Sequence, residues 1–297
     1  MSTTELIQYT IDALSLGSLY AVFALGIAIV FGIMRLINFA HGELILAGAY
    51  GLALFQDMNT ALRLTLTFAV VIALALAMER VAFRPVRTAD PETMLVTSFA
   101  VSFLLQSLAI LIFGGLARSV SPWSSVASEF LRVGGVQIQY LDLLAVIVTA
   151  ILLAGLGLFF SRTALGVQMR AAAEDFTTAR LMGVRANRVI AFSFVLSGGL
   201  AAVASLFLVG KTGIVTPAMG LAPVLAAFIA VIIGGLGSLR GAVLGGYLLG
   251  TITVALQVAL PLELRPYRDA FVFAAVILVL LVRPQGLLVA RSEYRRI

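Results

Sequence analysis

The sequence predicts an all-α bundle of eight to ten membrane-spanning helices, and three features lead there. Hydrophobic residues fill 61% of the 297 positions and charged residues only 11%, whereas a water-soluble domain carries about 45–50% and about 25%. Mean hydropathy is +1.10, a composition suited to hydrocarbon, which accepts apolar side chains and excludes charge. The apolar residues also fall in runs near the roughly 20 residues that cross a bilayer core.

In chain order the runs are 11–33, 39–56, 64–78, 94–113, 141–160, 189–209, 222–239, 241–260 and 270–282. The second, third and last are short, and little more than Arg240 separates the seventh from the eighth, so one of them is a candidate re-entrant segment. Residues 1–10 contain Glu5 and no Lys or Arg. They lack the basic start of a cleavable leader, and the first run is expected to be a retained span. With nine spans and the N-terminus outside, Arg63, Arg118, Arg132, Lys211, Arg265 and Arg268 fall on one side and the other 14 of the 20 Lys and Arg residues on the other. The positive-inside rule makes the richer side cytoplasmic, placing the N-terminus outside and the C-terminus inside. The chain is one domain, 1–297. Its external loop, 114–140, contains Pro122, Trp123 and Gly134–Gly135, and its longest cytoplasmic segment is 161–188.

Several function classes recede on composition. There is no cysteine and one histidine, His41, so neither a thiolate nor a multi-histidine metal centre is expected. The net charge of +6 comes from arginines scattered between apolar runs, a topology signal rather than a nucleic-acid face. Asp12, His41, Glu43, Glu79, Asp142 and Asp269 all fall near predicted ends or breaks. Ion-coupled carriers keep such groups at membrane depth, so an external energy source is favoured over an autonomous carrier or channel, and a membrane enzyme is more remote still. The string Ser205 to Thr212 resembles a phosphate loop, but Ser205 replaces the first glycine and the string ends an apolar helix. The chain is expected not to hydrolyse ATP itself.

Three features are candidates for function. Residues 37–43 interrupt the first two apolar runs with Asn38, His41 and Gly42; they either line a cavity or form a capped interfacial turn. The 27 glycines include Gly48 and Gly51, the group Gly234, Gly235 and Gly237, and two G-x-x-x-G pairs, Gly241–Gly245 and Gly246–Gly250. This spacing serves close helix approach first, with a flexible pathway as the second reading. Residues 167–182 predict a short helix ending at Gly183, and it is either a membrane-surface element or a docking element.

Five segments in this order resemble the permease subunits of ATP-binding-cassette importers for branched-chain amino acids: 37–43 (INFAHGE), 79–87 (ERVAFRPVR), 170–184 (RAAAEDFTTARLMGV), 234–246 (GGLGSLRGAVLGG) and 283–287 (RPQGL). The resemblance covers nearly the whole chain. It implies a multi-pass protein of a bacterial inner membrane, working with a second related permease, two cytoplasmic ATP-binding subunits that use ATP, and an external substrate-binding protein. The chain itself is then expected to bind no cofactor and no nucleic acid. Urea, short amides and other amino acids are the alternative cargoes of the same class. The 161–188 segment looks like the family's coupling loop, although where the wider importer pattern has Glu-Ala-Ala ahead of the glycine this chain has Thr177-Thr178-Ala179. By this resemblance Ala172, Ala173, Glu174, Asp175, Ala179, Arg180 and Gly183 are expected to couple to the ATPase. Asn38, His41, Gly42, Gly234, Gly235 and Gly237 are expected to form the pathway or gate.

Overall fold

A computed structural model describes residues 2–120, 130–133 and 135–288. Pro122, Trp123 and Gly134 of the predicted external loop, and Arg291, Arg295 and Arg296, lie outside the described residues. The first helix, α1 (Thr3–Met34), starts on a capping box in which Ser2 Oγ accepts from the Glu5 amide and Glu5 accepts from the Ser2 amide. It is followed by α2 (His41–Leu54), α3 (Thr60–Val86) and α4 (Pro91–Phe113). A two-residue strand β1 (Arg118–Ser119) and a hairpin of β2 (Phe130–Val133) and β3 (Val136–Gln139) lead into α5 (Tyr140–Arg162). Two short helices, α6 (Ala164–Glu174) and α7 (Phe176–Leu181), precede α8 (Ala186–Thr212). Strand β4 (Ile214–Val215) pairs antiparallel with β1, and α9 (Leu221–Gly234), α10 (Leu239–Ala259) and α11 (Arg268–Val282) complete the bundle.

Among the described residues six helices, α1, α3, α4, α5, α8 and α10, are long and apolar enough to cross a bilayer on their own. Two differences from the sequence reading stand out. The third run is not short: α3 continues through a π-helical turn, Met78–Phe83, to Val86. Glu79 is buried and Arg80 and Arg84 are exposed there, and the charges do not end the helix. The predicted single helix 167–182 is two helices, because Asp175 adopts extended backbone (φ −147°, ψ 103°) and caps α7.

The axis of the bundle is α1, apolar on every side and therefore buried by its neighbours. Its most apolar stretch is 83% buried, against 11% for α4 and 17% for α5, which face outward. The two G-x-x-x-G pairs explain how α10 reaches two partners at once. Gly241 lies against the backbone of Gly234 and Gly245 against Ala230, both on α9; Gly246 lies against Tyr20–Ala21 and Gly250 against Gly17, both on α1. A Cβ at any of these four positions would overlap a neighbouring main chain, so they permit the close approach expected of this spacing.

The bundle has two distinct ends. One gathers Arg35, Arg87, Arg180, Arg185 and Arg188. The other holds a paired polar cluster: Lys211 Nζ lies 2.6 Å from Asp142 Oδ1 and donates to Ser15 Oγ at 2.9 Å, while Ser15 Oγ donates to Asp142 at 2.6 Å. Gln8 donates to Asp12 at 3.0 Å and exchanges hydrogen bonds with the Gln137 main chain at 2.9 Å. The string Ser205–Thr212 lies wholly within α8, continuous helix with no loop to cradle a phosphate.

Candidate functional site

Between α1 and α2 the chain does not leave the bundle. Arg35 closes α1 in the left-handed region (φ 53°), its amide donating to Phe31 O at 2.8 Å. The chain then turns back inward, and Leu36, Asn38 and Ala40 are buried. His41 begins α2 with its ring against Gly26, where a Cβ would overlap it. Gly26 lies eight residues before Met34, so the imidazole sits about 12 Å inside the end of α1 at 1.5 Å rise per residue. His41 Nδ1 is 3.0 Å from Ser197 Oγ on α8, and Glu43 Oε1 accepts from Ser102 Oγ on α4 at 2.9 Å. The Phe39 amide donates to Ser98 Oγ at 3.4 Å, and its ring stacks on Phe99 at 4.2 Å with Phe228 tilted alongside at 5.5 Å.

A second break mirrors the first. Gly213 ends α8 at φ 64°, β4 follows, and residues 216–220 lead back inward to the start of α9. There the Gly220 and Gly42 backbones meet so closely that a Cβ on either would overlap the other's carbonyl. Two 14-residue helices, each about 21 Å long, therefore begin at one interior point, neither with a side-chain cap. A helix N-terminus carries partial positive charge and unsatisfied N–H groups.

Beside this junction, both polar atoms of the Asn38 amide, Nε2 of His41 and Oε2 of Glu43 are buried without a hydrogen-bond partner among the described residues. Such groups are uncommon in folded proteins and costly to keep. Together they offer a neutral amide, an imidazole nitrogen, one carboxylate oxygen and two helix starts, which can meet both ends of a small dipolar molecule. His41 and Glu43 fall at the predicted break, where α2 begins, and both are buried in the interior. Of the two sequence readings of residues 37–43, a cavity lining or an interfacial turn, the buried position of Asn38, Ala40 and His41 matches an inward fold. No cluster of potential metal ligands occurs among the described residues.

The site residues expected from sequence separate into three places. Asn38, His41 and Gly42 meet at the junction. Gly234, Gly235 and Gly237 lie at the far end of α9, where positive φ values of 105° at Gly235 and 84° at Gly237 form a tight turn. The segment carrying Leu287 and Leu288 docks there, its amides donating to Ile233 O at 2.8 Å and Gly234 O at 3.0 Å. The third group lies on α6 and α7. Ala172 and Ala179 are buried against the bundle, Ala173 is half-buried and its carbonyl accepts from Arg35 at 3.4 Å, and Glu174, Asp175 and Arg180 are exposed. Asp175 accepts from the Thr177 and Thr178 amides at 3.0 Å and from Thr178 Oγ at 2.6 Å. The Thr178 hydroxyl first, and its amide next, hold the Asp175 carboxyl below the usual range. Gly183, at φ 90°, closes α7 as a Schellman motif, with Val184 N donating to Ala179 O and Gly183 N to Arg180 O, both at 3.0 Å. Leu181 and Met182 project from this element 83% and 82% exposed.

Sequence reasoning missed the supports of the junction: Ser98, Ser102, Ser197, Gly26 and Gly220. Their only trace was a small or hydroxylated residue inside an apolar run.

With this geometry in place, comparison with known proteins adds a family. A profile described as "Branched-chain amino acid transport system / permease component" matches residues 9–281. The high-affinity branched-chain amino acid transport system permease protein BraD of Pseudomonas aeruginosa is 36% identical, the alignment covering 98% of both chains. Among solved structures, PsaBC from Streptococcus pneumoniae in complex with Fab aligns with TM-score 0.52 at 14% identity, covering 93% of this chain and 92% of that one. A transporter assigned to the metal-chelate ABC type, in an inward-facing conformation, aligns with TM-score 0.50 at 16% identity, covering 94% and 88%. At these identities the two structures share the fold and carry nothing about cargo.

Proposed function

Since this chain belongs to the family of permease components of branched-chain amino acid transport systems, we propose that it forms part of the membrane pathway for leucine, isoleucine and valine. It is a multi-pass membrane permease of the ABC importer class. In the proposed assembly it pairs with a second, related permease, two cytoplasmic ATP-binding subunits supply the energy, and an external binding protein delivers cargo. This chain contributes no ATPase site and no cofactor. The arginine-rich end is cytoplasmic and the Lys211–Asp142 end external, in keeping with the positive-inside rule.

The observation that carries the pathway assignment is the Gly42–Gly220 junction, where two uncapped helix starts meet beside buried and unpartnered polar atoms. Broken helices whose starts meet inside the bundle are how membrane carriers present polar contacts at depth. The α-carboxylate of an amino acid suits the Asn38 amide and the helix starts, its ammonium suits Glu43, and an aliphatic side chain suits the apolar surround. At the cytoplasmic end, the exposed pair Leu181 and Met182 is the surface offered to the ATP-binding subunit.

The test is uptake of labelled leucine in cells with and without the gene, under two treatments. One depletes ATP while keeping the proton gradient, and the other collapses the gradient while keeping ATP. Gene-dependent uptake that fails only without ATP is expected. Failure only without the gradient overturns the ATP-driven reading, and absence of gene-dependent leucine uptake overturns the cargo.

A further inference from the structure

At the arginine-rich end a cavity of about 910 Å³ opens between the end of α1, the α3–α4 turn, α7 and the start of α8. Five arginines line it and no carboxylate does. Arg87 donates to the neutral Asn187 side chain at 2.5 Å. Arg87, Arg180, Arg185 and Arg188 take part in no ion pair among the described residues. Two of them worsen the local electrostatics of the helix they begin. Arg185 is the N-cap of α8 without any side-chain cap bond, and Arg188 follows in its first turn, although the N-terminus of a 27-residue helix already carries partial positive charge. Like charges gathered in this way repel unless an anion sits among them.

The inner wall is of another kind. Ile33, Met34 and Ile190 line it and belong to the bundle-spanning helices α1 and α8. The cavity therefore joins five cations to an aliphatic wall carried by two helices long enough to cross a bilayer. It is also separate from the surface offered to a protein. Phe176 and Arg180, four residues apart on one face of α7, turn toward the cavity, whereas Leu181 and Met182 do not line it and stand exposed.

We propose that this cavity binds the phosphate of an anionic phospholipid, the guanidinium groups holding the phosphodiester and the aliphatic wall receiving the first part of an acyl chain. Guanidinium groups suit phosphate because their planar donors match its oxygens, and basic pockets between helices at a membrane surface hold lipid headgroups in this manner. A free phosphate ion shares the charge chemistry but has no use for the apolar wall.

The full-length protein in detergent is titrated with dioleoyl phosphatidylglycerol, dioleoyl phosphatidylcholine and inorganic phosphate, and bound lipid is read by native mass spectrometry. Phosphatidylglycerol is expected to bind in preference to phosphatidylcholine and to resist displacement by equimolar phosphate. Its affinity is expected to fall about 30-fold in the Arg185→Gln/Arg188→Gln double variant and about fivefold in Arg188→Gln alone, following the usual worth of one arginine near a lipid surface. The single variant keeps the test open should the double one fail to fold. Equal binding of the two lipids, or unchanged affinity in Arg188→Gln, overturns the proposal. Displacement of phosphatidylglycerol by equimolar phosphate assigns the cavity to a free anion instead, and displacement by the ATP-binding subunit assigns it to protein docking; either result also overturns it.

Discussion

Two polar clusters inside this bundle are built in opposite ways. At one end Lys211, Asp142 and Ser15 satisfy one another within 2.9 Å, and the neighbouring Gln8 is bonded both to Asp12 and to the Gln137 main chain. At the junction of α2 and α9, Asn38 has no partner for either polar atom among the described residues, and His41 and Glu43 are each half-satisfied there. A paired cluster is what a structural latch requires, since breaking one member leaves a charge stranded. An unpaired cluster is a cost the fold carries for something other than stability. The same kinds of side chain thus fasten helices at one place and stand unpaired at the other.

Substitutions at three places would break or sharpen that contrast. The largest stability effect belongs to the latch: Asp142→Ala is expected to lower unfolding stability by about 1–3 kcal/mol, between the exposed and buried limits for an ion pair, because the Lys211 and Asp142 side chains are 26% and 14% exposed. The Asp142→Ala/Lys211→Ala double variant should recover part of the loss, and simple additivity of the two singles would deny the coupling. At the junction, Asn38→Leu should leave stability unchanged or raise it by about 1 kcal/mol, since an unpaired amide is replaced by an apolar group of similar shape. Leucine uptake by the same variant should fall about tenfold, the worth of a lost hydrogen bond to a dry ligand. Full uptake in Asn38→Leu would make the junction merely structural. The smallest effect belongs to Asp175, an exposed carboxylate that is nonetheless fully paired. Its lowered pKa means that its capping contribution is complete above the ordinary aspartate pKa of about 3.9 and is lost as pH falls through the depressed folded value. Amide protection at Thr177 and Thr178, taken relative to the intrinsic exchange rate at each pH, should therefore fall only in acid, and Asp175→Asn, a competent cap without a charge, should abolish that loss.

The helical bundle was legible because composition alone rules out water as its solvent. Hydropathy reports how long an apolar run is but not at what depth it begins. The runs containing α2 and α9 therefore read as spans, with one re-entrant segment expected among them and their neighbours, although both helices start in the interior. The turn-back at residues 35–40 depends on Arg35 adopting a left-handed conformation and on Gly26 making room for His41, and neither leaves a periodic mark. Asn38, His41 and Gly42 were recognisable as a break, whereas their serine supports sit on α4 and α8, far away in sequence. The glycines at 234, 235 and 237 share a motif with α10, and in the folded chain they form a turn clasped by Leu287 and Leu288, a contact the sequence does not announce. The arginine cavity was hidden for a similar reason, since its cations come from four separate segments that only the tertiary fold assembles.

The glycine faces of α10 have a mechanical consequence. Where side chains separate two helices, a small push is absorbed by rotamer adjustment before the second helix moves. Gly245 and Gly246 leave no such cushion, because the main chain of α10 rests directly on Ala230 of α9 and on Tyr20–Ala21 of α1. This helix is a rigid strut with negligible play on either flank, so α9, α10 and the upper half of α1 shift as one member, and any give in the machine must lie elsewhere, at the two breaks.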